Sequence, residues 1–406
     1  MKKNIFFLII TVLLISCDNE FETVHKFSRP YEVSKEYPIY LDASNILTNI
    51  QVRPATPAEE PFKIVSTDKY LFIGEMMKGV HVYEKTDSRH VNPLCFIECK
   101  YLKAFDVIDD YLYCNNFIDL LVVDIKNPLS ARILHREERY FNRYFYSNWN
   151  MSEKNVSSSS DNRLYQIATK TIYLSGIETD AGPAPDFSEY DKLYENIIVD
   201  EIPDTLKVDK PHVGFTGISG VMSTFGFYSL AFCSYSQSGF HSTQSLIWNT
   251  EFNYSYPALK LHSENEMLFV LSENYFYYYD YNSNQVQAKS AFLPYQITDA
   301  SYMASQKTFW FLSPQGISGR LIENDQYNST STNIPGAETI TCVGNNIFTL
   351  GARLEIHRAP SLDLVKKYPD ISGSCMLKEG ETLITAGKKG VFLFDISDLK
   401  NIKLIP

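Results

Sequence analysis

Short apolar runs separated by polar turns recur along this chain, and no long stretch shows a helical period. That alternation predicts an all-β protein. The runs align on an apolar group that follows a polar turn: Tyr70-Leu71-Phe72, Tyr111-Leu112-Tyr113, Ser229-Leu230-Ala231, Met267-Leu268-Phe269, Thr308-Phe309-Trp310, Asn346-Ile347-Phe348 and Thr382-Leu383-Ile384. Five of the six steps between central residues lie near 39 residues, and the step from Leu112 to Leu230 is 118. A period of about 40 residues is that of a four-stranded propeller blade. The long step equals one period plus an insertion at 139–218, after the second blade. Counting the runs gives seven blades, with six or eight open because the long step can hold a decayed blade.

A second strand follows each doublet, as in Gly79-Val80-His81-Val82-Tyr83, Leu120 to Asp124 and Gly390 to Asp395. Asp124-Ile125-Lys126-Asn127-Pro128 and Asp395-Ile396-Ser397-Asp398-Leu399 then read as tight turns, where Asp and Asn cap their own backbone and Pro presets φ. Runs such as Tyr275 to Tyr279 have no polar side, so both faces need cover. Stacking the sheets radially supplies it, and closing the ring protects the edges. Closure is expected to pair a strand of the lead-in at 41–61 with the last blade, near 383–405. The propeller itself spans 62–406. Within the insertion, Ser157-Ser158-Ser159-Ser160 and Gly182-Pro183-Ala184-Pro185 have the composition of a long, partly mobile excursion.

The N-terminus reads Met1-Lys2-Lys3-Asn4, then an apolar run from Ile5 to Ile15. A basic start before a short apolar core is a secretion signal. The run has about half of the ~20 residues that a bilayer span needs. Leu14-Ile15-Ser16-Cys17 resembles a bacterial lipobox, which implies a signal peptide over 1–16 and acylation of Cys17, palmitate included. The alternative is an ordinary signal with a chance cysteine. Lipoproteins of this pattern carry three acyl chains, enough for a stable anchor. Residues 17–40 are expected as a lipidated tether. Its Asp18, Asn19, Glu20 and Glu22 resemble the acidic export tag of Bacteroidetes surface lipoproteins, or are simply a solvated acidic stretch.

The strand Leu121-Val122-Val123-Asp124 with Asn127-Pro128 resembles the repeat of the LVIVD-repeat proteins. Val391 to Asp398 is a second copy and Gly79 to Pro93 a looser third. Sheets near 257–292, 297–333 and 336–370 depart from the motif: Asp280 keeps its acid, Glu323 replaces it, and near Ala359 it is gone. The resemblance implies a β-propeller lipoprotein of the outer membrane or cell surface. It implies no activity, because the function of that family is mostly unassigned.

The whole chain has 37 basic and 48 acidic side chains, a net charge of −11. Without Lys2 and Lys3 the balance is about −13, with no dense basic stripe, which disfavours nucleic acid. No HxH or HExxH spacing occurs among the eight histidines, so no metal and no cofactor is expected. His81 and His357 alternate with apolar neighbours and read as interior strand histidines. Gly217-Ile218-Ser219-Gly220 and Gly316-Ile317-Ser318-Gly319 fall short of the GxSxG elbow. Asp280-Tyr281-Asn282-Ser283-Asn284 begins like a calcium loop, but Gln285 and Ala291 stand where Gly and Glu belong. No catalytic residue is assigned.

Three features point to binding or modification. Tyr140, Phe141, Tyr144, Phe145, Tyr146 and Trp149 form an aromatic cluster at the entrance to the insertion, suited to protein or sugar recognition or to plugging the insertion onto the ring. Thr205, in Asp204-Thr205-Leu206, resembles an O-glycosylation acceptor of Bacteroidetes exported proteins. Cys99 and Cys114 are the candidate disulfide, in a compartment that permits one. The reading is a monomeric, membrane-anchored scaffold, not an enzyme, for a protein or glycan partner. The alternative is an enzyme or carbohydrate-processing accessory with a site at the propeller axis.

Overall fold

The computed structural model describes residues 28–42, 50–87, 89–116, 119–137, 153–154, 164–179, 186–194, 197–199, 217–222, 228–234, 237–242, 248–253, 258–264, 267–272, 275–280, 289–292, 297–321, 327–332 and 334–405. The protein is all-β and divides into two compact units. The larger comprises Tyr40–Ala168 and Ile198–Pro406, and the smaller Met1–Ile39 and Thr169–Ile197.

Among the described residues, the larger unit holds seven antiparallel sheets in chain order. The first contains Gln51–Pro54, Pro61–Ser66, Tyr70–Glu75, Gly79–Lys85 and Val91–Glu98. The second contains Phe105–Ile108, Tyr111–Asn116, Asp119–Asp124 and Arg132–Glu137. The third runs through Gly217–Met222, Tyr228–Ser234, Gln237–Ser242 and Trp248–Asn253, and the fourth through Ala258–Glu264, Met267–Ser272, Tyr275–Asp280 and Lys289–Phe292. The fifth uses Asp299–Met303, Thr308–Ser313, Gly316–Leu321 and Tyr327–Thr332. The sixth uses Ala337–Val343, Asn346–Gly351, Leu354–Arg358 and Asp363–Tyr368, and the seventh Cys375–Glu379, Thr382–Gly387, Gly390–Asp395 and Lys403–Leu404. Each is a simple meander, apart from the extra edge strand Gln51–Pro54 beside Val91–Glu98 in the first.

Every apolar doublet read from the sequence lies in the second strand of the meander of its sheet. Where its side chains are described, in the first, second, fifth, sixth and seventh sheets, that strand is buried on both faces. Thr308–Ser313 and Thr382–Gly387 are buried at all six positions, and Asn346–Gly351 at all but its first. Alternate side chains therefore enter different cores. Phe72 packs into the core shared by the first and second sheets. Its neighbours Leu71 and Ile73 pack with Ile384, Ala386 and Leu393 of the seventh. Leu383 faces the other way, toward Phe348, Leu350 and Ile356 of the sixth. Trp310, Leu312 and Ile317 of the fifth meet Ile340 and Ile347 of the sixth. Burying each large side chain contributes about 1.5–3 kcal/mol.

The Asp turns repeat as the sequence suggests. Asp124 Oδ1 accepts from the Lys126 N–H at 3.1 Å, and Asp395 Oδ1 from that of Ser397 at 3.0 Å. One position later, Ile125 N–H donates to Asp110 O and Ile396 N–H to Glu381 O, pinning each turn to the preceding hairpin.

Three expectations change. Residues 28–40 are not a simple tether, because Ser28–Asp42 is a strand beside Leu164–Thr179. Its aromatic residues explain why: Tyr37 and Tyr40 are buried. The excursion 139–218 is not without regular structure. It contains the 16-residue strand Leu164–Thr179 and the helix Ser188–Tyr194, and Gly217–Met222 already belongs to the third sheet. The smaller unit is organised around Asp191 of that helix, which accepts from Lys35 and from the Tyr37 hydroxyl, each at 2.6 Å. Finally, the lead-in does not complete the last sheet. Gln51–Pro54 extends the first sheet, and the seventh has its own fourth strand, Lys403–Leu404.

Leu383→Ala is expected to lower the unfolding free energy by about 2–5 kcal/mol, as a buried leucine does when a cavity is left. Leu404→Ala, on a side chain 56% exposed, should shift it by less than about 0.5 kcal/mol. Urea unfolding followed by fluorescence compares the two.

Candidate functional site

The buried acids among the described residues gather at one end of the sheets, where the second and third strands of each meander are joined. In the first sheet this is the turn Met76-Met77-Lys78. Glu75 closes the second strand and is 2% exposed. Its Oε2 lies 2.6 Å from His81 Nε2, and its Oε1 lies 2.7 Å from Lys78 Nζ. Lys78 also reaches Glu59 Oε2 at 2.6 Å. His81 is paired across the hairpin with Ile73, so Glu75 approaches it diagonally on the same face. The imidazole lies against Phe96, ring centres 4.6 Å apart.

This cluster fixes backbone. Met77 and Tyr101 both have positive φ, 65° and 61°. Such conformations cost roughly 1 kcal/mol or more in a residue with a Cβ. They are held by Met77 N–H donating to Leu102 O at 2.7 Å and Tyr101 N–H donating to Met77 O at 2.9 Å. The connection 99–104 is gripped from the other side by Asn115 of the second sheet. Asn115 Oδ1 accepts from the N–H groups of Lys103 and Ala104, and its Nδ2 donates to Tyr101 O. Next to it, Asn116 Nδ2 donates to Lys100 O, and Arg136 donates to the fully buried Asp119 at 2.9 Å. The two sheet ends thus form one hydrogen-bonded rim.

The sixth sheet has a related cluster. Glu355 accepts from Arg353, lies 3.4 Å from Lys367, and meets His357 Nε2 at 3.3 Å. His357 Nδ1 is 3.2 Å from Leu362 O, placed to donate to it. A spacing of two along a strand puts both side chains on one face. Sequence reasoning found both histidines but missed their acids. Glu-x-His within a strand was the signal for Glu355. Glu75 carried none, because its partner lies across a hairpin whose register was not fixed.

In the first cluster burial pushes Glu75 up, yet the hydrogen bonds from Lys78 and His81 outweigh it and hold the carboxyl below its usual range. Lys78 is raised by its bonds to Glu59 and Glu75. Lys103 is intermediate in overall exposure, but the surroundings of its ammonium are dry enough to push it down to about 7. Chemically, each His nitrogen that could activate a nucleophile is accounted for differently. Nε2 of both histidines faces a carboxylate, and His81 Nδ1 is buried with no partner among the described residues. No hydroxyl or thiol is hydrogen-bonded to either ring among the described residues. The arrangement orients backbone and gathers charge; it lacks the nucleophile–base contact of covalent catalysis.

The leading strands of neighbouring sheets are also stitched by polar groups. Lys63 donates to Asp106 at 3.0 Å and to Phe105 O at 2.8 Å. The buried Asp299 accepts from Thr339 at 2.7 Å and from Ile340 N–H at 2.9 Å. Ser318 sits buried inside a strand opposite Phe311, which rules out a strand-to-helix elbow there; Ser219 is likewise a strand residue, opposite Ala231. No group of three metal-ligating side chains occurs among the described residues. Cys99 and Cys114 come together, with sulfurs 3.9 Å apart as free thiols. Cys17, the aromatic cluster Tyr140, Phe141, Tyr144, Phe145, Tyr146 and Trp149, and Thr205 lie outside the described residues. No described helix is long and apolar enough to cross a membrane.

Glu75→Gln is expected to cost about 3 kcal/mol at pH 7, the scale of breaking a buried pair. A carboxyl lowered on folding stabilises fully above its unfolded value, here 4.5, and loses that contribution as pH falls through the folded value. Urea midpoints of variant and parent should therefore converge below pH 4.5. For Lys103 the slope has the same sign, in a higher pH window. A lysine lowered to about 7 from 10.5 binds more protons when unfolded, so its contribution to stability grows as pH rises between those values. Lys103→Met should flatten that rise in midpoints measured from pH 7 to 9.

No known family profile matches the chain, and no curated protein matches it. Among solved structures, the WD40 domain of Pan2 from Neurospora crassa is similar, with a TM-score of 0.51 at 6% identity over 86% of this chain and 96% of that one. The computationally designed Ika8 protein aligns over 89% of this chain and 100% of its own, at 7% identity and a TM-score of 0.46. The likeness to the WD40 domain is one of fold, an all-β chain of antiparallel four-stranded sheets.

Proposed function

We propose that this chain is an exported, lipid-anchored β-propeller of the LVIVD-repeat kind, with seven blades in a closed ring, acting as a scaffold that binds a protein or glycan. The lipobox-like Leu14-Ile15-Ser16-Cys17 supports the anchor. The blade count rests on the seven sheets, and on second strands buried on both faces in the five sheets whose side chains are described. Closure rests on contacts between the first and last sheets. Pro61–Ser66 packs on Cys375–Glu379, Ser374 Oγ donates to Pro61 O at 2.6 Å, and Lys85 and Ser66 both donate to Glu379. Closure is then by direct packing and polar contact, not by strand exchange.

The observation that carries the binding role is the rim. The buried Glu75 binds Lys78 of the turn 76–78, and the buried amides of Asn115 and Asn116 bind the connection 99–104, holding both in one conformation. A preordered rim lowers the entropy cost of recognition. The net acidity of the chain favours partners that are neutral or basic.

Metabolic labelling with a clickable palmitate should mark the protein, and Cys17→Ser should abolish the label. Crosslinking in intact cells, followed by purification, should recover an envelope protein or glycan. Its yield should fall at least several-fold in Asn115→Ala, which loosens the rim. Recovery of no partner together with measured turnover of a substrate would shift the reading to an enzyme at the propeller axis.

A further inference from the structure

Cys99 and Cys114 are 15 residues apart and belong to different parts of one interface. Cys99 begins the connection 99–104, its N–H donating to Lys78 O, and Cys114 lies in the second strand of the second sheet. Both are buried in the core shared by the two sheets, 2% and 0% exposed. Their sulfurs are 3.9 Å apart, and Cys99 Sγ also donates to Asn115 O at 3.4 Å. A disulfide needs a sulfur separation of about 2 Å and Cβ atoms a few ångströms apart. From 3.9 Å, forming the bond requires side-chain rotation and a shift of the connection.

We propose that Cys99 and Cys114 are a disulfide-forming site that locks the rim connection to the second sheet. The oxidant is a disulfide, either glutathione disulfide or the active-site disulfide of an envelope thiol oxidase, so the source of oxidising power rests on the export reading above. One cysteine thiolate attacks a sulfur of the oxidant, forming a mixed disulfide and expelling one thiolate. The second cysteine thiolate attacks the mixed disulfide and expels the other. The two expelled thiolates take up the two protons lost by the cysteines. Two cysteine thiols and one disulfide thus become one Cys99–Cys114 disulfide and two thiols.

Packing sets the timing. Cys114 is held well above the ordinary thiol range by its contact with Cys99 and by burial, so little attacking thiolate exists in the folded core. The bond forms while the connection is open, during folding, and is afterwards shielded from reductant. Cys95 belongs to the same core. Cys95 directs its sulfur to Pro128 O at 3.8 Å and is itself pushed up to about 11 by burial.

The test uses full-length protein alkylated during extraction from the cell envelope, and the same protein unfolded and refolded with oxidised glutathione. Tryptic digestion without reductant should give peptides 90–100 and 104–126 joined, with fragmentation placing the bond at Cys99. The joined peptides should persist in Cys95→Ala and vanish in Cys99→Ala. Native protein should resist a reductant that cleaves the bond in urea. Once cleaved, the thermal midpoint should fall by several degrees in the parent and stay unchanged in Cys99→Ala. A bond after refolding but free thiols in the envelope sample supports the pairing and removes the exported address instead. Free thiols in both samples, or a bond to Cys95, would overturn the proposal.

Discussion

Burial on both faces of the second strand is the constraint on which the larger unit depends. Leu71 and Phe72 are adjacent, completely buried, and enter cores made with different sheets. Leu383 and Ile384 repeat the arrangement at the other end of the chain. A single four-stranded meander leaves such a strand wet on both sides and is marginal alone. A sheet with such a strand therefore needs two neighbours, and the first and last sheets of a row would each lack one. In this chain they supply each other: Ile64 and Ile73 of the first lie in one cluster with Cys375 and Ile384 of the seventh. The hydrophobic requirement and the topology point the same way.

Polar chemistry is arranged around that constraint. Along the leading strands, Lys63 with Asp106 and Asp299 with Thr339 satisfy groups that packing would otherwise strand. At the joined ends of the first two sheets, backbone hydrogen bonds and the buried Asn115 amide hold two left-handed residues, Met77 and Tyr101, against their intrinsic preference. The Glu–His contacts of the first and sixth sheets belong to this structural chemistry. Their imidazoles point a nitrogen at a carboxylate, and neither presents the other to a described nucleophile.

Much of this was legible in the sequence. The apolar doublets located the second strand of every sheet in the larger unit, and where side chains are described those strands are buried on both faces, which favours unbroken apolar runs. The paired Asp turns at 124 and 395 were legible for a local reason, since an Asx cap involves only residues two apart. Long-range contacts were not. The strand Ser28–Asp42 reads as polar because its partners lie more than a hundred residues away, in Leu164–Thr179. The lead-in strand Gln51–Pro54 was assigned to the wrong sheet because edge pairing depends on register and direction, which alternation alone does not set. Glu75 and Asp119 were hidden among forty-eight acids until the hairpins placed them.

The most direct test is a double-mutant cycle across the first and seventh sheets. Lys85 Nζ lies 2.6 Å from Glu379 Oε1, 294 positions further along the chain, and the Lys85 side chain is 7% exposed. Lys85→Met, Glu379→Gln and the double variant would be compared by urea unfolding at low salt. A coupling free energy of about 1 kcal/mol is expected if the two sheets are permanent neighbours. Additivity within about 0.3 kcal/mol would mean that the first and last sheets do not meet, and the closed ring would be contradicted.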